Sequence, residues 1–340
     1  MPLIAAVNGS KIIVSIPFRI RIASRESPLA MAQTHWVAAQ LRAFHPGIDV
    51  EIIGMTTKGD QILDKPLAQI GGKGLFIKEL EVAMSEGRAD IAVHSMKDVP
   101  MVVPAGFALT TVGLREDVRD AFISNQYRSL DELPPGSKVG TSSLRRESQI
   151  RHFHPHLTIL PLRGNVNTRL KKLDNGEFDA IILAAAGLNR LGLGARIRGT
   201  LDPARHIPAV AQGALGIEYR LGDYDIEQIL KPFCVIATDA TVAAERAFGR
   251  RLSASCDVPL GASATLNADG NELTITGFVA TPDGSTRLAK TMVGPIHQAD
   301  SLGISLAEAL CADGADRILA DLVVAAHRSG ATETPESGRE

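Results

Sequence analysis

The residues best suited to chemistry in this 340-residue sequence are cationic and clustered. Arg145 and Arg146 follow Thr141-Ser142-Ser143 and fall in the expected first turn of a helix. Hydroxyls, the free N–H groups of a helix start and two guanidiniums together suit a carboxylate or a phosphate. Arg163 follows a short strand in the stretch LRGNV, and Arg169 lies on the next helix. Ligands of open α/β sheets bind beyond the carboxyl ends of the strands, where these residues should gather. Any one of them alone reads as a surface arginine with an ordinary ion pair; four at strand ends and helix starts favour an anion site. The stretch HSMKDVP (94–100) directly follows an apolar strand. Its His94, Lys97 and Asp98 could form an acid–base cluster in which Lys97 keeps Asp98 ionised. A polar loop ending at Pro100 explains the same spacing equally well.

Other candidates are weaker. Cys256 sits among small residues in RLSASCDVPLG, where a loop would leave it accessible, whereas Cys234 and Cys311 are flanked by apolar residues and read as core. Position alone favours a core reading for all three. His152, His154 and His156 (HFHPH) have no second cluster or carboxylate array to complete a metal site, so a solvated loop and no metal are expected. The glycines of Gly71-Gly72-Lys73-Gly74 lack the spacing of a phosphate-binding loop. Neither a dinucleotide fingerprint nor a G-x-S-x-G elbow is present.

The elements that must hold these residues follow from the pattern. Arg19–Ser24 and Val50–Met55 read as strands flanking a helix capped by Ser27, with Pro28 at its first position. A helix over Leu75–Ser85 leads to a strand at Asp90–His94. A second α/β unit follows: strands at Lys138–Gly140, Thr158–Leu162 and Asp179–Ala185, with helices from Leu144 and Val166. The sequence DAIILAA is that of a strand buried on both faces. Two largely parallel sheets are therefore expected. Beyond Lys231, strands at Ala262–Asn267, Glu272–Ala280 and Arg287–Val293 alternate with turns, and a helical pattern runs from Leu302 to His327. That unit reads as α+β with an antiparallel meander. Residues 329–340 are a polar tail expected to be disordered.

Composition bounds the function. At about 150 residues per domain, two or three domains are expected. A net charge of −2 argues against general binding to nucleic acid or a membrane surface. The neutral total hides a cationic middle, however: residues 138–198 carry 11 basic and 4 acidic side chains. Three cysteines make no disulfide framework, which points to a reducing compartment. No apolar run reaches the ~18 residues of a membrane span, and residues 1–18 lack the basic start of a signal peptide. A cytoplasmic protein is expected.

Taken together, several stretches resemble one family, the porphobilinogen deaminases or hydroxymethylbilane synthases. They are ASRESPLA (23–30), TTKGD (56–60), GGKGLFIKELE (71–81), VHSMKDVP (93–100), REDVRDAF (115–122), GTSSLRR (140–146), LRGNVNTRL (162–170), DAIILAAAGLNRL (179–191), AQGALGIE (211–218) and ERAFGRRLSASCDVP (245–259). They span most of residues 19–260 in the family's order. The resemblance implies three domains: two α/β lobes like those of periplasmic binding proteins, flanking a cleft, and a small α+β domain with a three-stranded antiparallel sheet. The chain would return to the first lobe, giving 1–114 plus 209–231, 115–208, and a cofactor-anchoring domain at 232–328.

The implied reaction, part of haem biosynthesis, joins four porphobilinogen molecules head to tail, with loss of ammonia, to give hydroxymethylbilane. The chain grows on a dipyrromethane cofactor held by a thioether to Cys256. Each pyrrole carries an acetate and a propionate, so the growing chain is a polyanion. By resemblance, Arg145, Arg146, Lys97, Thr141, Ser142 and Ser143 hold the cofactor, while Arg25, Ser27, Lys73, Arg163, Arg169 and Gln212 hold substrate. Asp98 is the implied catalytic carboxylate. It would stabilise the azafulvene cation left by ammonia loss, donate to the leaving amine and assist removal of the proton at the new bond. A thiolate is a strong nucleophile toward such a cation, which suits Cys256. A monomer is implied, with porphobilinogen as the only partner.

Three departures stand out. Ala254 and Ser255 replace the two glycines common before the cofactor cysteine, Gln69 stands where many members have lysine, and residues 1–18 extend beyond the usual start. The first stiffens the loop. Two rivals remain at this stage: a binding protein that merely holds an anion, and a relative that keeps the fold without attaching the cofactor.

Overall fold

The computed structural model describes residues 4–7, 10–13, 19–57, 59, 77–253 and 258–330. A short antiparallel hairpin, β1 (Ile4–Val7) and β2 (Ser10–Ile13), precedes the first lobe. There, β3 (Arg19–Arg25) leads through Ser27 into α1 (Pro28–Phe44). The Ser27 hydroxyl accepts from the Ala30 N–H at 3.3 Å, and Pro28 starts the helix where its missing N–H costs nothing. Strand β4 (Asp49–Met55), helix α2 (Lys78–Ser85) and strand β5 (Ile91–Ser95) follow, with β4, β3 and β5 parallel. Strand β6 (Phe107–Val112) completes the chain's first pass through this lobe.

The second lobe begins antiparallel, with β7 (Asp120–Ile123). Then come β8 (Lys138–Gly140), α3 (Leu144–Phe153), β9 (Thr158–Leu160), α4 (Val166–Asp174), β10 (Ala180–Ala184), α5 (Ala185–Arg190) and β11 (Gly199–Thr200). The strand order is β11-β7-β10-β8-β9, with β10, β8 and β9 parallel. Strand β12 (Leu215–Arg220) then returns to the first lobe and inserts antiparallel between β5 and β6, giving β4-β3-β5-β12-β6. Each sheet thus runs four strands one way and sets a single strand, β12 or β7, against them, in keeping with the expectation of largely parallel sheets. Periodicity did not mark β6, β7, β11 and β12: β11 is only Gly199 and Thr200, and β12 mixes Glu218 and Arg220 with its apolar residues.

After α6 (Tyr224–Leu230), α7 (Ile236–Arg251) opens the third unit. Its meander is β13 (Leu260–Leu266), β14 (Glu272–Ala280) and β15 (Arg287–Pro295), antiparallel throughout. The long helical pattern divides into α8 (Ala299–Ala312) and α9 (Ala315–Gly330), broken at Gly314, whose φ of 103° ends the first helix. Phe248 of α7, Ile275 of β14 and Leu306 of α8 are fully buried in one core.

Two further expectations change. Cys234 is exposed and donates to Asp239 Oδ2 at 2.9 Å; neighbouring Phe233 takes the buried position instead. The HFHPH stretch is not a solvated loop throughout: it ends α3, and His154 is buried, stacked on His206 at 5.9 Å. Residues 331–340 lie outside the described residues.

Helices α7 and α8 cross so closely that a Cβ at Gly303 would collide with the Ala244 carbonyl oxygen. Gly303→Ala should therefore lower the free energy of unfolding by about 1–3 kcal/mol in a urea titration. An unchanged midpoint would mean that the two helices part freely.

Candidate active site

In the first lobe the site is built at the carboxyl end of β5. The strand runs into a 3-10 turn, Met96–Asp98, in which Met96 is buried and its N–H donates to Ala214 O at 3.0 Å. Anchoring Met96 inward leaves Asp98 exposed. Asp98, Arg25, Ser27, Gln33, His94 and Ser95 line a small cleft of about 50 Å³. Arg25 ends β3 and Ser27 caps α1, so two element ends bring a guanidinium and a hydroxyl to the carboxylate.

The second lobe brings its arginines to the facing side. Arg145 and Arg146 occupy the first turn of α3, as expected, and both are buried. Arg145 Nη1 and Nη2 donate to the two oxygens of Asp120 at 2.8 and 3.1 Å, and Nη1 also donates to Ile207 O. Arg146 Nε and Nη2 donate to Asp120 Oδ1 at 3.0 and 2.8 Å, and Nη1 donates to Ile182 O. Burial alone would raise the Asp120 carboxyl, but the two guanidiniums overcome it and hold the carboxyl well below its usual range. One carboxylate against two guanidiniums leaves a net positive charge.

Gln212 links this cluster to the first lobe. Fully buried, it donates to Val118 O at 2.7 Å and to Asp120 Oδ1 at 2.9 Å, and accepts from Lys97 Nζ at 3.3 Å. Burial pushes Lys97 down to about 8 against the pull of Asp98. Arg169 donates to Gly164 O at 2.7 Å. Its guanidinium is pushed down to about 10 by burial and by Arg146 and Arg163, while Asp98 opposes the shift. Asp98 of one lobe and Arg169 of the other therefore share one electrostatic neighbourhood.

The hydroxyls divide. Thr141 is buried and accepts from Ser143 N, and Ser142 exchanges hydrogen bonds with the Leu162 backbone. Ser143 stands at the N-cap of α3 without a side-chain capping bond. Lys73, Gln69 and Cys256 fall outside the described residues, as do Ala254 and Ser255. The helix that leads toward Cys256 is nonetheless fixed to the site. Arg246 of α7 donates to the carbonyls of Val99, Pro100 and Met101, immediately after Asp98.

Sequence reasoning passed over Asp120, Arg115, Glu245 and Arg190. Arg115 pairs with both oxygens of Glu245 at 2.7 and 2.8 Å, and Glu245 also accepts from Ala211 N and Ala264 N. Arg190 donates to Gly213 O at 2.6 Å. A signal existed: Asp120 begins the apolar strand DAFI, and a charge at such a position requires a partner.

Asp120→Asn would leave two buried guanidiniums short of a counter-charge, and should cost about 3–5 kcal/mol of unfolding free energy at pH 7. Because the Asp120 carboxyl is lowered from an ordinary 3.8, its contribution is present above that pH and is lost as pH falls below it. The difference between wild type and variant, measured in urea, should shrink on acidification.

Residues 20–228 match the family model described as porphobilinogen deaminase, dipyrromethane cofactor binding domain, and residues 240–312 match that of the porphobilinogen deaminase C-terminal domain. The porphobilinogen deaminase of Chromobacterium violaceum is 60% identical over 302 residues, covering 89% of this chain and 97% of the relative. That of Nitrosomonas europaea is 58% identical over 309 residues, covering 91% and 100%. Among solved structures, the methionine binding protein MetQ is 16% identical with a TM-score of 0.41, over 63% of this chain and 89% of that one. With both family models matched in order and such identity sustained along nearly the whole of both relatives, this chain belongs to the porphobilinogen deaminase family.

Proposed function

We propose that Asp98 is the acid–base and electrostatic centre of this transferase, which joins four porphobilinogen molecules head to tail into hydroxymethylbilane with loss of ammonia. The observation that carries the reading is the position of Asp98. It is an exposed carboxylate at the end of β5, in a cleft with Arg25 and Ser27 and within electrostatic reach of Lys97 and Arg169. A carboxylate so placed stabilises the cation left when the substrate's amino group departs as ammonia and its methylene stays on the ring, and accepts the proton released when the new carbon–carbon bond forms.

The surrounding charge suits a ligand bearing carboxylates, which is the donor chemistry a dipyrromethane requires. Bound through Cys256, that group supplies the pyrrole carbon from which the chain grows. Arg145, Arg146, Lys97 and Ser143 would hold its acetates and propionates, with Thr141 and Ser142 shaping the helix start. Arg25, Ser27, Lys73, Arg163, Arg169 and Gln212 would hold the incoming substrate.

The same reading divides the chain into 1–114 plus 209–231, 115–208 and 232–328, and the return of β12 to the first sheet supports it. It also makes the protein a cytoplasmic monomer acting on a small molecule. Among the described residues no helix is long and apolar enough to cross a membrane.

Asp98→Asn should lower kcat by roughly two to four orders of magnitude, while circular dichroism and the covalently attached mass stay unchanged. Near-normal turnover would remove Asp98 from its role. Cys256→Ala should lack the added mass of two pyrrole units in an intact-mass measurement and should have no turnover. A binding protein that merely holds an anion would carry no added mass with either residue.

A further inference from the structure

We propose that Glu81, Glu218 and His94 form a chain of positioning residues in the first lobe, with one proton held between the two carboxyl groups, and that this chain fixes the His94 wall of the cleft in which Asp98 acts. Its link to catalysis rests on the reading of Asp98 given above.

The register places the three together. Strands β5 and β12 pair with His94 opposite Gly216 and Glu218 opposite Ala92, so His94 and Glu218 are diagonal neighbours on one face of the sheet. Helix α2 covers that face, with Leu80, Ala83 and Met84 packed in one core with Ala92. His94 Nε2 lies 2.9 Å from Glu218 Oε2, and both side chains are buried. His94 is also among the residues that line the cleft shared by Asp98, Arg25 and Ser27.

The remaining oxygens reveal the proton. Oε1 of Glu218 and Oε1 of Glu81 are both buried, and among the described residues neither has a hydrogen-bond donor. Two ionised carboxylates have no hydrogen to offer each other, and such an arrangement leaves both buried oxygens unsatisfied. A single proton between them satisfies both at once. Burial, then the Glu218 charge and a hydrogen bond with Glu218, push Glu81 up to about 7, with Lys78 opposing.

The surroundings supply little compensating charge. Among the described residues, α2 and its C-cap bring Lys78, Glu79 and Glu86; β5 and the residue before it bring His94 and Asp90; β12 adds Glu218 and Arg220; β3 adds Arg21 and Arg25. Arg21 is tied to Asp90 and Gly87 O, and Arg220 to Met84 O, Ala89 O and Asp223, all at the far end of the helix. Arg25 belongs to the cleft. The contact between Nε2 and Glu218 Oε2 holds the His94 ring in one orientation. Loss of the shared proton puts two carboxylates side by side with their facing oxygens buried, which loosens α2 and the ring it helps to fix.

The test is the pH course of two quantities, thermal stability and kcat/KM, in the holoenzyme and in Glu81→Gln. A glutamine amide donates to Glu218 at every pH. The wild-type folded state keeps a proton that the unfolded chain has released, so its stability falls between pH 4.5 and about 7 and is level beyond. Glu81→Gln should lack that fall, so its Tm should rise by roughly 2–8 °C relative to wild type from pH 5 to pH 8. Its kcat/KM, divided by that of wild type, should rise over the same range. Glu218→Ala should lose activity at every pH, and Glu218→Gln, which accepts from His94 and donates to Glu81, should restore most of it. A Glu81→Gln variant that follows the wild-type course in both quantities overturns the proposal. Wild-type turnover by Asp98→Asn would instead sink the catalytic role of Asp98, while the Tm comparison would still judge the shared proton.

Discussion

Two guanidiniums, Arg145 and Arg146, converge on the single buried carboxylate of Asp120, and the charge balance of the cleft follows from that arithmetic. The pair is fixed and desolvated, yet one positive charge remains uncompensated. Lys97 joins it through Gln212, and Arg163 and Arg169 stand close by. Burying these cations is unfavourable: desolvation first, and neighbouring guanidiniums after it, push Lys97 and Arg169 down. The unfavourable term is relieved when a ligand supplies carboxylates. A cleft built in this way favours a polyanion over a neutral ligand before any shape is considered.

A second constraint ties the three units at one place. Glu245 of α7 accepts from Arg115 on the first crossing between lobes, from Ala211 on the second and from Ala264 on the small sheet. Its neighbour Arg246 holds the carbonyls that follow Asp98. Adjacent residues of one helix thus join the crossing segments to the turn that carries Asp98. Arg190 adds a tie from α5 to the second crossing at Gly213.

Much of this was legible in the sequence, for identifiable reasons. Ser27 and Pro28 gave the start of α1 because capping is local chemistry, and AIILA gave β10 because a strand buried on both faces needs no polar residue. Asp98, Arg145, Arg146, Arg163 and Arg169 were found as element ends carrying charge. What escaped depended on partners distant in the chain. Asp120 meets Arg145 and Arg146 only once β7 lies beside β10, and Glu218 meets His94 only because β12 returns after the whole second lobe. Cys234 was misread because the apolar residue beside it, not the cysteine, takes the buried position. Gly314 divides the last helical pattern through a conformation that periodicity does not register.

The central claim is that the surplus cations of the cleft hold the carboxylates of the growing chain. The most direct measurement is the intact mass of the holoenzyme at intervals after mixing with porphobilinogen, for wild type and for Arg169→Ala. The account predicts a ladder of added pyrrole units in wild type, and in the variant an accumulation at a short chain length, because each added ring brings carboxylates that have lost a partner. The same ladder with the same timing in both proteins would contradict it.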